Sequence, residues 1–322
     1  MNKIKFYLAP MEGITGYIYR NAVHDHFGEN IDKYFTPFLV VHEKRAMSNK
    51  EIREILPENN RGLNLIPQIL TDDAEGFGRV ERALYDYGYT EVNLNLGCPS
   101  KTVASKGRGS GFLGNPAKLD DFLCRIFESR KCDISIKTRI GESDVSEFEE
   151  LMGIYNRYPL KELIIHPRVR YEYYKGQPHR DVFYKYSSRS SAKLCYNGDV
   201  VSLSDVDEIL EHSDGKVSAI MIGRGMIADP SLIRVLSGGR TCTNYELRGF
   251  LRRIREDYSE AFRTEKPVLQ KMKEIWGYMG QKFPKSAAAV KDLLKCSTLQ
   301  EYKILEMQIL NCVQDEKALS FE

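Results

Sequence analysis

The chain has 322 residues, 42% hydrophobic and 29% charged, which is enough apolar material for a sizeable core and unlike a disordered segment. Its 47 Lys and Arg stand against 45 Asp and Glu, a formal charge of +2, so any nucleic-acid-binding surface has to be local. Seven cysteines, at 98, 124, 132, 195, 242, 296 and 312, include no C-x-x-C pair. The odd count argues against a closed disulfide framework, and the spacing argues against zinc-ribbon or iron–sulfur ligation. A reducing, cytoplasmic setting, no metal and a monomeric state are expected. No apolar run approaches the ~18–20 residues of a membrane span, and residues 1–7 lack the apolar stretch of a signal peptide. No membrane partner is expected.

Short runs of apolar, β-branched and aromatic residues at 4–9, 34–41, 63–70, 91–97, 134–139, 163–166, 193–197 and 219–223 each close on Gly, Pro or polar residues. They read as strands. Their starts fall 26 to 30 residues apart, with one interval of 43, the length of a strand–helix unit. Helix-period segments lie between them at 74–87, 119–129, 146–158 and 204–212. Eight such units predict an α/β fold, a closed parallel (β/α)8 TIM barrel over residues 1–240, with an open doubly wound sheet as the alternative. The barrel further predicts polar residues at the C-terminal end of its strands, and the sequence has them there.

After Gly238-Gly239 the pattern turns wholly helical. Thr243-Asn244-Tyr245-Glu246 and Thr298-Leu299-Gln300-Glu301 match capping boxes, and Pro267 suits a first helical turn. Leu247, Leu251, Ile254, Tyr258 and Phe262 keep a helical stripe. Residues 241–322 therefore read as a small helical domain. Residues 248–295 hold 12 basic and 6 acidic side chains, whereas 296–322 hold 2 and 5. A basic face and a solvated surface both account for that count.

The strand ends carry the chemistry. The first ends in Ala9-Pro10-Met11-Glu12-Gly13, the third in Pro67-Gln68 and the fourth in Asn95-Leu96-Gly97-Cys98-Pro99. The remaining four end in Lys137-Thr138-Arg139, His166-Pro167-Arg168, Asn197-Gly198-Asp199 and Gly223-Arg224-Gly225. Glycines there let backbone N–H groups approach a phosphate, and Arg224 can add a charge-assisted contact. Lys137 and Gln68 can address the polar edge of an isoalloxazine, where a cation stabilises the anionic reduced form. Taken singly, the glycines are also ordinary turn residues and Lys137 an ordinary solvated lysine.

Cys98 stands out among the cysteines because it sits in a Gly-Cys-Pro turn, followed by Gly107, Gly109 and Gly111. That glycine-rich stretch is expected to be a mobile lid; the other six cysteines are read as packing residues. Between strands six and seven, Arg168, Arg170, Tyr171, Tyr173, Tyr174, Lys175, His179 and Arg180 mix rings with cations. Such a mixture suits base stacking and phosphate contact if exposed, but the favoured expectation is that the tyrosines pack the following helix.

Ala9-Pro-Met-Glu-Gly13, Asn95-Leu-Gly-Cys-Pro99, Lys137-Thr-Arg139, His166-Pro-Arg168, Asn197-Gly-Asp199 and Gly223-Arg-Gly225, in this order, resemble the tRNA-dihydrouridine synthases. The likeness spans the barrel, and the helical tail matches that family's architecture. It implies FMN-dependent reduction of the C5=C6 bond of uridines in tRNA, with NADPH as reductant. By the resemblance, Cys98 is the general acid that protonates C5, and Asn95, Arg139 and Arg168 hold the substrate. Pro10, Met11, Gln68, Lys137, His166, Asn197, Gly198, Asp199, Gly223 and Arg224 fall where the family binds FMN, and residues 241–322 would bind tRNA. Two rival readings are a flavin barrel acting on a free pyrimidine and a non-catalytic tRNA-binding protein. The helical extension speaks against the first, and intact Cys98, Lys137 and Asn95 speak against the second.

Overall fold

Ten strands form one parallel sheet in the computed structural model of the chain, which describes residues 3–311. They are β1 (Lys5–Leu8), β2 (Lys33–Phe35), β3 (Leu39–Val40), β4 (Leu65–Ile66), β5 (Gln68–Leu70), β6 (Glu91–Leu96), β7 (Asp133–Gly141), β8 (Leu163–Val169), β9 (Leu194–Asn197) and β10 (Val217–Ile222). Hydrogen-bonded neighbours run β3-β5-β6-β7-β8-β9-β10-β1-β2-β4. The two ends of that order are not true edges. β2 continues into β3, and β4 into β5, so β1–β2–β4 and β3–β5–β6 are joined through the same two chain segments. The ring closes with eight strand segments, as the sequence predicts.

Two of those segments are broken where proline stands, at Pro37 and Pro67, because proline has no N–H to give the ladder. At the second break a side chain bridges the gap: Gln68 N donates to Thr36 Oγ1 at 2.9 Å. β7 and β8 also run further than expected, to Gly141 and Val169, so Arg139 and His166 stand within strands. Inside the ring, Tyr7, Ala9, Phe35, Ile66, Ile164, Cys195, Ala219 and Met221 form a packed core. Near the strand starts, Tyr7 donates its hydroxyl to Glu162 at 2.9 Å, and Lys33 bonds both Glu91 and Glu162.

Helices follow the strands because their apolar positions repeat at helical spacing. The Ala74–Asp86 helix starts at Asp73, whose side chain accepts from Glu75 N, and buries Phe77, Val80 and Leu84. The Pro116–Ser129 helix has proline in its first turn and Asn115 as its cap. Phe148–Tyr155, Arg180–Ser187 and Leu203–His212 follow β7, β8 and β9.

The chain divides into two compact units: residues 1–10 with 32–222, which hold the whole barrel, and residues 11–31 with 223–322. The line expected at residue 240 falls inside the second unit. That unit recruits the Tyr17–Phe27 helix because Phe250 takes edge-to-face contacts from Tyr19 at 5.8 Å and Phe27 at 5.4 Å. Within it, the Asn244–Ala261, Glu265–Met279, Ala287–Lys295 and Leu299–Asn311 helices carry the tail. Both predicted capping boxes form, with Glu246 N donating to Thr243 Oγ1 and Glu301 N to Thr298 Oγ1. Trp276 Nε1 donates to the buried Tyr302 hydroxyl at 2.8 Å.

Among the described residues, no helix is long and apolar enough to cross a membrane and no cluster of side chains could hold a metal ion. The six described cysteines are free; Cys312 and the acidic end of the tail, 312–322, lie outside the described residues.

Candidate active site

Parallel register brings the polar strand ends together. Asn93 lies opposite Gln68 on β5 and Ser135 on β7, Asn95 opposite Lys137, and Arg139 opposite His166. Because side chains alternate along a strand, Asn93 and Asn95 emerge on one face of β6, and Lys137 and Arg139 on one face of β7. A chain of amides joins them. Asn93 Nδ2 donates to Ser135 Oγ at 3.0 Å, Gln68 Nε2 to Asn93 Oδ1 at 2.8 Å, and Asn95 Nδ2 to Gln68 Oε1 at 2.7 Å. Asn95 Oδ1 then accepts from the backbone N–H groups of Gly97 and Cys98, each at 3.0 Å. Buried amides are held this way because an unmet donor or acceptor there costs about 1–3 kcal/mol.

Cys98 itself is half-buried. Its carbonyl accepts from Ser110 Oγ at 2.8 Å and Ser110 N at 3.1 Å. The glycine-rich stretch is therefore no loose lid: Gly109, Ser110 and Phe112 are buried in a short helical turn at Gly109–Phe112. A Cβ on Gly109 would come within 2.8 Å of the Cys98 carbonyl oxygen. Gly109 is small so that the turn bearing Cys98 can be clamped from behind, a close approach that the sequence pattern alone does not separate from flexibility.

Lys137 is half-buried and makes no hydrogen bond or ion pair among the described residues. Burial, then the neighbouring Arg139, pulls its pKa down to about 8, while the thiols of Cys195 and Cys98 act in the opposite sense. Arg139 is 1% exposed. Its Nε donates to Gly97 O at 3.0 Å, Nη1 to Val169 O at 2.9 Å and Nη2 to Tyr173 O. One guanidinium thus ties the Cys98 turn to the loop after β8. Arg168, expected to touch substrate, is fully buried: Nη1 donates to Lys175 O and Nη2 pairs with Asp199 at 2.6 Å.

His166 is buried beside the Tyr174 ring, centroids 6.2 Å apart, and Tyr174 lies over the Arg139 guanidinium at 5.4 Å. Asn197 Nδ2 donates to Met221 O at 2.8 Å, bridging β9 and β10. A Cβ on Gly198 would meet His166 Cδ2 at 3.2 Å and Pro178 Cγ at 3.4 Å. Pro10 stands two residues beyond β1, whereas Met11, Gly223 and Arg224 belong to the second compact unit; there Met11 N donates to Thr15 Oγ1 at 2.7 Å. Contrary to the expectation that the tyrosines pack the next helix, Tyr171 is 59% exposed and Tyr174 48%. Tyr174, expected to pack the following helix, instead lies against Arg139 and His166, and its aromatic–basic neighbourhood is the sequence signal for that place.

A family model for dihydrouridine synthases (Dus) matches residues 7–317. The tRNA-dihydrouridine synthase B of Pasteurella multocida (strain Pm70) is 27% identical over 235 residues, 73% of this chain and 69% of that protein. A probable tRNA-dihydrouridine synthase 2 of Bacillus subtilis (strain 168) is 28% identical over 231 residues, 70% of each. Among solved structures, a histamine dehydrogenase from Rhizobium sp. 4-9 is similar at TM-score 0.55 and 13% identity over 77% of this chain. The chain spans 49% of that structure's length, and the likeness is one of fold. A parallel barrel with these strand-end groups and this family match is an oxidoreductase. The chain belongs to the dihydrouridine synthase family.

Proposed function

We propose that this chain reduces the C5=C6 bond of uridines in tRNA to dihydrouridine, using FMN and NADPH. The observation that carries the reading is the register that sets Lys137 opposite Asn95, whose amide oxygen holds the Cys98 turn. When bound at this mouth, FMN reduced by NADPH would be the source of hydride for C6.

The residues present fit that group. Lys137 offers an ammonium that no other side chain here has claimed, complementary to the anionic edge of a reduced isoalloxazine. Gly198 lets its turn pack against the His166 ring and Pro178, which a Cβ there would crowd. Pro10, Gln68, His166, Asn197 and Asp199 stand at the neighbouring strand ends and would complete the cradle. Cys98 gives its proton to C5, quenching the charge that hydride addition develops there. The thiolate left behind is within electrostatic reach of Lys137, and solvent returns its proton. Asn95 Nδ2 keeps a second N–H for a uracil carbonyl, and Arg139 with Tyr174 forms a wall for the base. Arg168 acts at one remove, holding the loop through Lys175 and Asp199. The helices of 241–322 supply phosphate contacts.

The test uses purified protein loaded with FMN, reduced by NADPH without oxygen and mixed with tRNA lacking dihydrouridine. Reoxidation of the flavin with dihydrouridine appearing in the tRNA is the expected result. Free uracil or orotate acting where tRNA does not would overturn it.

A further inference from the structure

β8 ends at Val169 and runs into the Arg170–Glu172 turn and a loop that reaches the next helix at His179. The loop is tied down from several sides. Arg139 holds the carbonyls of Val169 and Tyr173, and Arg168 holds that of Lys175. Glu172 accepts from Val169 N at 2.7 Å and meets His179 Nε2 at 2.6 Å, closing the loop on itself. Tyr171 N donates to Glu142 O at 3.3 Å, beyond the end of β7. Yet this fixed backbone turns a ring outward. The Arg170 guanidinium, ion-paired with Glu142, covers Tyr171 at 4.9 Å from the ring centroid and leaves 59% of the residue exposed.

An exposed tyrosine alone means little. This one is held by its backbone and by a cation beneath it, and its hydroxyl makes no hydrogen bond among the described residues. A ring immobilised in advance loses little entropy when another flat group stacks on it. The same guanidinium that holds the loop, Arg139, also touches Gly97 O beside Cys98. Exposed Lys175, with no ion pair among the described residues, adds a positive charge on the same loop.

We propose that Tyr171 is a stacking platform for the base next to the uridine being reduced, with Lys175 meeting its phosphate. This rests on tRNA being the substrate. A flat apolar face beside a cation suits a nucleotide, which presents a π-face and an anion together.

The experiment compares FMN-loaded wild type, Tyr171→Ala, Tyr171→Phe and Tyr171→Trp, each reduced by NADPH and titrated with tRNA lacking dihydrouridine. Tyr171→Ala should raise the tRNA concentration for half-maximal reoxidation about 5- to 100-fold, the loss of one stacked base. The limiting rate should stay within about two-fold, and the Phe and Trp variants should match wild type. FMN content and reduction by NADPH report that each variant is folded. An unchanged midpoint in Tyr171→Ala overturns the platform, as does a Phe variant as weak as Ala, which would mean a hydrogen bond. Wild type that is not reoxidised by tRNA overturns the functional reading itself.

Discussion

Asn95 holds Cys98: its Oδ1 accepts the Cys98 backbone N–H at 3.0 Å while its Nδ2 reaches back to Gln68 at 2.7 Å. The residue that resemblance assigns to substrate is thus also the one that fixes the turn bearing Cys98, the proposed acid. Asn95→Ala strands two half-buried N–H groups and the buried Gln68 carbonyl, so the turn should shift. Reoxidation of reduced flavin by tRNA should slow about 10- to 100-fold, at ~1.4 kcal/mol per decade, with reduction by NADPH near normal. Asn95→Asp, which can still accept from Cys98 N, should recover part of the loss, and Cys98→Ala sets the floor. Equal rates for Asn95→Ala and wild type in stopped flow would show the turn holds without it.

Lys137 gives a pH-dependent expectation. Burial lowers its pKa from 10.5 to about 8. Between those values the unfolded chain carries a proton that the folded barrel does not, so this group's contribution to stability rises with pH across the window. Below it, the full cost of the buried charge is present. Flavin-free Lys137→Met should therefore melt above wild type at pH 7, and the gap should close as the pH is raised from 8 to 10.5. A gap independent of pH would place the ammonium in water. With FMN bound, the same variant should have a lower flavin reduction potential, since the anionic reduced form loses its counter-charge.

Gly109 and Gly107 separate packing from backbone strain. Both have positive φ, +56° and +71°, but only at Gly109 would a Cβ collide, 2.8 Å from the Cys98 carbonyl oxygen. Gly107→Ala should cost about 1 kcal/mol for its left-handed conformation alone. Gly109→Ala should cost more, and should also change the rate at which Cys98 is alkylated. Denaturant titration with a thiol reagent checks both; identical variants would return the segment to a loose loop.

The barrel was legible because eight apolar runs recur at strand–helix spacing, and the motifs ending β5 to β8 because parallel register sets Gln68, Asn95, Lys137, Arg139 and His166 side by side. What stayed hidden follows from contacts distant in sequence. Arg139 and Arg168 read as substrate-holding cations, since charged side chains are seldom fully buried; only the fold supplies the carbonyls of Gly97, Val169, Tyr173 and Lys175 that absorb them. Likewise, nothing local in 17–27 shows that Tyr19 and Phe27 pair with Phe250, more than 200 residues away.

The basic side chains of the tail divide by their partners, and that division sets the last expectation. Four basic side chains of the tail helices and the turn after them are engaged: Arg253 with Asp257 and Asp25, Lys271 with Gly13 O and Glu274, Lys273 with Cys296 O, and Lys282 with Asp229. Arg252, Arg263, Lys266, Lys291 and Lys295 are exposed and without an ion pair among the described residues. A phosphate contact releases counterions only from a cation that the protein has not already neutralised, with a log–log salt slope of roughly −0.7 to −0.9 per phosphate. Paired charge reversals such as Lys291→Glu with Lys295→Glu, or Arg263→Glu with Lys266→Glu, should weaken tRNA binding and flatten its salt dependence. Flavin content and reduction by NADPH should not move, because Lys137 and the amide chain lie in the barrel unit. Lys273→Glu, by contrast, breaks the bond to Cys296 O and should lower the melting temperature. Titrating tRNA over a salt series decides it: wild-type affinity and slope in every paired reversal would move phosphate recognition off these five side chains.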